Sequence, residues 1–314
     1  MEMREIMGRE LGRIMETDQR VCVLAGDLAR ATGVGHLLET YPDRAFNAGI
    51  AEANMTSVAA GMASCGFIPF IISFAPFVSR RNCDQVMLSV GYAKQNVKIV
   101  GTDPGITAET NGGTHMPFED VAVLRSIPSL VIVEVSDEEQ LRQAIPAIIN
   151  YDGPVYLRTA RRAQPEVYTS DYKFDLMKAP ILRTGTDVTI LASGLLLKKS
   201  LDAAKALETE GISAEVINVH TIKPLDQNTI LSSVKKTGCV VTAENHNVIG
   251  GLYSAVCELL SGKMPVHIEC VGVNDEFGEV GSLDTLAERY HLTAAAIVEK
   301  AEYAVKFKHK GEEF

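Results

Sequence analysis

Leu130–Leu157 reads LVIVEVSDEEQLRQAIPAIINYDGPVYL, and this stretch decides the fold class. Leu130–Val135 is a short run of the kind buried on both faces of a sheet. Asp137–Asn150 then takes up helical periodicity, and Val155–Leu157 returns to a strand. Strand, covering helix and strand in that order build a parallel sheet flanked by helices. Working toward the N-terminus, Val21–Ala25 (VCVLA) and Val97–Gly101 (VKIVG) read as further strands, with Ile50–Cys65 and Cys83–Tyr92 as helices between them. Toward the C-terminus, the polar stretch from about Ala163 to Lys178 has no period and carries Pro165. It predicts a linker over residues 166–180 between a domain of residues 1–165 and one of residues 181–314.

The second domain repeats the alternation. Val188–Ala192, Ser213–Val219, Cys239–Ala243 and Val266–Val271 read as strands, and Leu196–Glu210, Asp226–Lys236 and Gly251–Gly262 as helices. The expected architecture is α/β in two domains, each a mainly parallel sheet flanked by helices. A chain of 314 residues with 46% hydrophobic content can build both cores. A formal net charge of −10 argues against nucleic acid or an anionic membrane as partner. The six cysteines are scattered, with no CxxC pair, and read as core thiols of a reducing compartment. The N-terminal MEMREIMGRELGRI is a charged amphipathic helix with no apolar signal core, and the apolar stretch Gly66–Phe77 is too short to span a bilayer. A cytoplasmic protein is expected.

The sharpest local feature is Phe46–Met55, FNAGIAEANM. A loop with Gly49 enters a helix that carries Glu52 about one turn in, followed by small and apolar residues. A carboxylate on an apolar helix is costly to bury unless something pairs with it. By itself, Glu52 would read as an exposed first-turn acid favoured by the helix dipole.

The surroundings change that weighting. NAGIAEANM, the aromatic pair in SFAPF (Ser73–Phe77), the loop DPGITAETNGGTH (Asp103–His115) and the acidic turn AGDLA (Ala25–Ala29) together resemble the thiamine-diphosphate-dependent transketolase family. TIKPLD (Thr221–Asp226), ENHNVIGGL (Glu244–Leu252) and GVNDEFGEVG (Gly272–Gly281) continue the match through the second domain. The resemblance covers essentially the whole chain and is to the C-terminal half of the family, as in a transketolase split over two chains.

The resemblance implies a role for each matching residue. Glu52 would bond the pyrimidine ring nitrogen of thiamine diphosphate, favouring the imino tautomer with which the cofactor deprotonates its own thiazolium carbon. One or both of Phe74 and Phe77 would wall the pyrimidine, with Phe77 as the stacking ring; alone, such a pair reads as ordinary core. Arg81 and Asp27 fall at cofactor-contacting positions, Arg81 with an ambiguity of one against Arg80. His115, delivered by Gly112 and Gly113, would lie over the reacting centre and handle a proton on the substrate oxygen. Arg4 and Arg161 match arginines that grip a phosphate.

Three positions depart from the family. Asn111 stands where an aspartate reads a substrate hydroxyl, Asp103 where a second histidine helps bind the sugar and its phosphate, and Ala31 where a serine binds phosphate. An acid at a phosphate site repels it, so the expected substrate is an anionic sugar other than the ordinary pentose phosphates, or one bound in an altered pose. Nothing in the chain matches the GDG element with its downstream asparagine that holds Mg²⁺ and the diphosphate. A partner subunit equivalent to the N-terminal half is therefore expected, in an α2β2 assembly with the cofactor at the interface. His220 and His246 read as structural, and Gly250-Gly251 as a helix entry or close-packing site. Competing expectations are a β subunit of a thiamine-dependent 2-oxo-acid or acetoin dehydrogenase, a deoxyxylulose-phosphate-synthase-like enzyme, and an inactive regulatory paralogue.

Overall fold

The computed structural model describes residues 1–308. The strands are β1 (Val21–Ala25), β2 (Ala45–Asn47), β3 (Ile68–Phe74), β4 (Lys98–Thr102), β5 (Val131–Glu134), β6 (Val155–Thr159), β7 (Ile181–Arg183), β8 (Val188–Ala192), β9 (Ala214–Asn218), β10 (Thr221–Lys223), β11 (Cys239–Asn247) and β12 (His267–Val273). They form a seven-stranded sheet in the order β10-β5-β6-β4-β3-β1-β2 and a five-stranded sheet in the order β12-β11-β8-β9-β7. Among the described residues, only β10 and β7 run antiparallel to their neighbours.

The opening stretch behaves as its pattern requires. Asp137 caps the helix Glu138–Asn150 by accepting from the Gln140 amide, and Leu141, Ile145 and Ile148 bury against Val133, Val155 and Leu157. The helix Met3–Thr17 covers the same face of the sheet through Ile6, Leu11 and Met15. On the other face, Met55 and Ala59 of the helix Glu52–Ser64 pack with Val86, Val90 and Leu124.

Two features depart from the pattern reading. Ile68–Phe74 (IPFIISF) is an inner strand, fully buried, although Pro69 and the lack of alternation concealed it. An unbroken apolar run fits a strand and a buried helix equally well. Pro69 is tolerated near the strand's start, where it opposes Cys22 of β1. The segment Cys83–Tyr92 is helical as expected but widens into a π-helix over Val86–Tyr92. The second half of the chain also supplies β10, which pairs with β5 and completes the first sheet. That strand falls inside the TIKPLD motif and has too few residues to show a period. No helix among the described residues is long and apolar enough to cross a membrane.

Candidate functional site

The loops that follow the C-terminal ends of β1, β2, β3 and β4 converge, the usual location of a ligand crevice in a parallel sheet. Gly26 follows β1, and a Cβ there would sit 3.3 Å from Glu52 Cγ and 3.4 Å from Ser73 Oγ. Glycine at 26 keeps that space open. Asp27 turns away from the sheet with φ of 60°. Asn47, at the end of β2, ties the two loops together, because its Oδ1 accepts from the amides of Asp27 and Gly49.

Glu52 is the first residue of its helix, not one turn in, and it is buried with 1% exposure. Both carboxylate oxygens lie 2.9 Å from Arg81 Nη1. The Arg81 guanidinium carbon stands 4.0 Å over the Phe77 ring while its side chain remains 43% exposed. The two neighbouring arginines differ in what they reach. Arg81 reaches the acid, whereas Arg80 donates to Glu119 and to the Thr114 carbonyl and holds the His115 loop.

Phe74 and Phe77 have ring centroids 6.1 Å apart, and His115 stands edge-on to both, 5.3 Å from Phe77 and 6.2 Å from Phe74. Beside this wall, the buried Ser73 Oγ has no hydrogen-bond partner among the described residues. A buried polar group without a partner is costly.

The expected anion-binding residues form a second group joined to the first. The Arg4 amide donates to the Arg161 carbonyl at 3.1 Å, and Arg4 Nη1 donates to the Ala31 carbonyl at 3.3 Å. Arg161 Nε lies 3.3 Å from Asp103 Oδ1, and its guanidinium carbon stands 5.7 Å over the Phe74 ring. Asp103 is fully buried with φ of 56°. Burial pushes its carboxyl up to about 6 against the opposing pull of Arg161. Asn111 ends the turn Gly105–Asn111, and its buried Nδ2 has no hydrogen-bond partner among the described residues. A groove of about 760 Å³ lined by Asp27, Ala31, Gly33, His36 and Asn47 opens next to Arg4. Among the described residues, no three His, Cys, Asp or Glu side chains gather into a metal-binding group.

The second domain supports the histidine loop, a contribution the sequence did not announce. A Cβ on Gly113 would meet the Gly278 carbonyl oxygen at 2.1 Å, and one on Gly112 would meet Val280 at 2.9 Å. Asn245 donates to the Pro104 carbonyl and accepts from the Ile106 amide, fixing the loop's other end. His220 and His246 are both buried, and burial holds each imidazole down to about 4, in its neutral form. Gly251 does open a helix and packs closely: its missing Cβ would lie 2.1 Å from Glu244 Oε2, which accepts from the Leu252 amide.

Family models match in two blocks: "Transketolase, pyrimidine binding domain" over residues 1–166 and "Transketolase, C-terminal domain" over residues 177–297. The 6-deoxy-6-sulfo-D-fructose transketolase subunit SqwH of Clostridium sp. (strain MSTE9) is 52% identical over 91% of this chain and 89% of its own. A putative transketolase C-terminal section of Methanocaldococcus jannaschii is 38% identical over 95% and 94%. A solved structure described as a split gene transketolase, inactive beta4 tetramer, superposes with a TM-score of 0.91 at 39% identity, covering 98% of this chain and 99% of that one.

Proposed function

This chain belongs to the transketolase family, and we propose that it is the pyrimidine-binding subunit of a two-chain enzyme that moves a two-carbon ketol unit from an anionic ketose to an aldose. The observation that carries this reading is Glu52, buried at the base of an aromatic and histidine-lined crevice and gripped along one edge by Arg81.

The residues present fit thiamine diphosphate. An ionised carboxylate offers about four lone-pair positions, so the Arg81 contact leaves Glu52 able to accept a further hydrogen bond from a ring nitrogen. Phe74 and Phe77 supply apolar faces for a flat heterocycle, and the orphaned Ser73 Oγ supplies a polar contact at its edge. When bound, the cofactor contributes a carbon nucleophile and an electron sink. Glu52 would accept a hydrogen bond from the pyrimidine ring nitrogen and so favour a proton there. His115 is held by its loop to give or take a proton at the substrate oxygen. Mg²⁺ and the diphosphate belong to an N-terminal-half partner, and an α2β2 assembly follows from sites built between paired subunits. Six free cysteines suit a reducing, cytoplasmic setting.

The relatives favour ketol transfer over the dehydrogenase-subunit and deoxyxylulose-phosphate-synthase readings. The 52% identity to SqwH, whose name specifies a 6-deoxy-6-sulfo-D-fructose substrate, makes a sulfonated ketose the favoured donor. Asp103 and Ala31, both departures from a phosphate-binding pattern, point the same way. The test is thiamine diphosphate titration and two-carbon transfer, measured for this chain alone and mixed with a partner carrying the GDG element. Tight binding and transfer are expected only in the mixture. Full turnover by the isolated chain would break the two-chain reading.

A further inference from the structure

The tail-binding group pairs its two arginines unequally. Arg4 lies toward the surface, where the half-buried Glu2 meets it at 2.6 Å, and water partly screens that contact. Arg161 lies deeper, at 17% exposure, and its partner Asp103 has none of its surface in water. The buried pair is little screened, so Asp103 sets the local charge more than Glu2 does.

Asp103 is also placed at a cost that orienting an arginine does not require. Its backbone sits in the left-handed region, where a non-glycine residue is strained. Its Oδ1 has no hydrogen-bond partner among the described residues, because Arg161 Nε approaches at 3.3 Å without hydrogen-bond geometry. An acid that served only to orient Arg161 would be expected to take the bidentate geometry that guanidinium and carboxylate favour. The other charged groups nearby are Glu109, itself 3.1 Å from Arg162, and the more distant Arg4.

Resting on the ketol-transfer reading above, we propose that Asp103 is a charge filter: set against Arg161, it cancels one guanidinium charge, so the tail pocket fits a monoanionic sulfonate and discriminates against a phosphate of the same shape. A sulfonate carries one negative charge at any physiological pH, while a phosphate monoester carries about −1.5 to −2 near pH 7. With Arg161 opposed by Asp103, and Arg4 offset only weakly by the water-screened Glu2, about one net positive charge faces the tail. The second charge of the phosphate then has no cation left to meet.

The experiment uses the complex of this chain with its partner, thiamine diphosphate and Mg²⁺. Equilibrium binding by calorimetry and kcat/KM are measured for 6-deoxy-6-sulfo-D-fructose and for fructose 6-phosphate. The wild-type complex is expected to favour the sulfonate. Asp103→Asn is expected to move the ratio toward phosphate by about tenfold, with the change falling more on KM and Kd than on kcat. Asp103→His, which also removes the negative charge, should move the ratio the same way, and Asp103→Glu should keep the wild-type order. A wild-type preference for phosphate overturns the proposal. So does an equal weakening of both ketoses in both neutralising variants, which marks a positioning role. A complex that shows the expected selectivity in binding but transfers no two-carbon unit sinks the transketolase reading and leaves the filter standing. A complex that binds neither ketose overturns both.

Discussion

Two buried carboxylates that meet an arginine, Asp120 and Glu52, are built in opposite ways. Arg158 has no exposure, and its guanidinium meets Asp120 Oδ2 at 2.8 Å, Asp120 Oδ1 at 3.2 Å, Glu134, and the Asn245 carbonyl at 2.8 Å. Tyr156 donates to the same Asp120 Oδ2 and Ser193 to Glu134 Oε2, both at 2.6 Å. Burial would raise the Asp120 carboxyl, yet Arg158 holds it below the ordinary carboxylate range. Glu52 is almost as buried, but it is gripped on one edge only, by an arginine that reaches in from solvent. Burial of an acid is therefore not by itself a functional sign. An enclosed, fully bonded acid joins β5, β6 and the second domain, whereas an acid with a free edge and a half-exposed partner is ready for a ligand.

The largest expected effect breaks the open group. Glu52→Gln removes the charge but keeps the shape, so two-carbon transfer by the complex should be lost, while the thermal midpoint of the chain stays within a few degrees because Arg81 can turn to water. Near-wild-type turnover would remove the functional half of the comparison. Breaking the closed group acts on stability. Arg158→Met strands Asp120 and Glu134 without a cation and should cost about 3–5 kcal/mol, read as a lower urea midpoint. An unchanged midpoint would show that the enclosed group is not structural.

A third change tests the link between the two regions. Gly113→Ala places a methyl against the Gly278 carbonyl and must shift the His115 loop; such misplacement should lower kcat by about 10²-fold with little change in fold. Unaltered kcat would mean that the second domain does not position the histidine.

The smallest effect concerns pH. His220 and His246, held near 4 by burial, contribute stability present above about 6.5 and lost as pH falls toward 4. Glu244, pushed up to about 7 by burial, contributes stability present below its ordinary value of 4.5 and lost as pH rises through 7. Asp103, pushed up to about 6 by burial, acts in the same sense as Glu244, so two acids oppose two histidines from about pH 4.5 to about 6 and the urea midpoint should vary little there. His220→Asn should tilt the profile toward the acid side by on the order of 1 kcal/mol. A variant profile parallel to the wild type would show that the histidine is not held neutral.

The legibility of each feature followed its range along the chain. The strand–helix alternation was visible because periodicity is set within a few residues. Glu52, Phe77 and His115 were visible because each sits in a dense motif. Asn47 and Ser73 lay inside those same motifs but carried no separate signal, since their importance rests on which backbone amides and which cavity they meet. β3 was hidden because a fully buried strand has no alternation to display.

By itself the amino-acid sequence determined that this is a two-domain α/β chain of the transketolase type, with an acid, an aromatic pair and a histidine in order along it. Only the tertiary structure decided that Arg81 and not Arg80 meets Glu52, that β10 closes the first sheet, that Gly278 supports Gly113, and that Asp103 faces Arg161. The physical reason is separation. Periodicity and capping depend on neighbours a few residues apart, whereas these contacts join segments tens to more than a hundred residues apart, and they exist only once both cores have packed and fixed where each loop emerges.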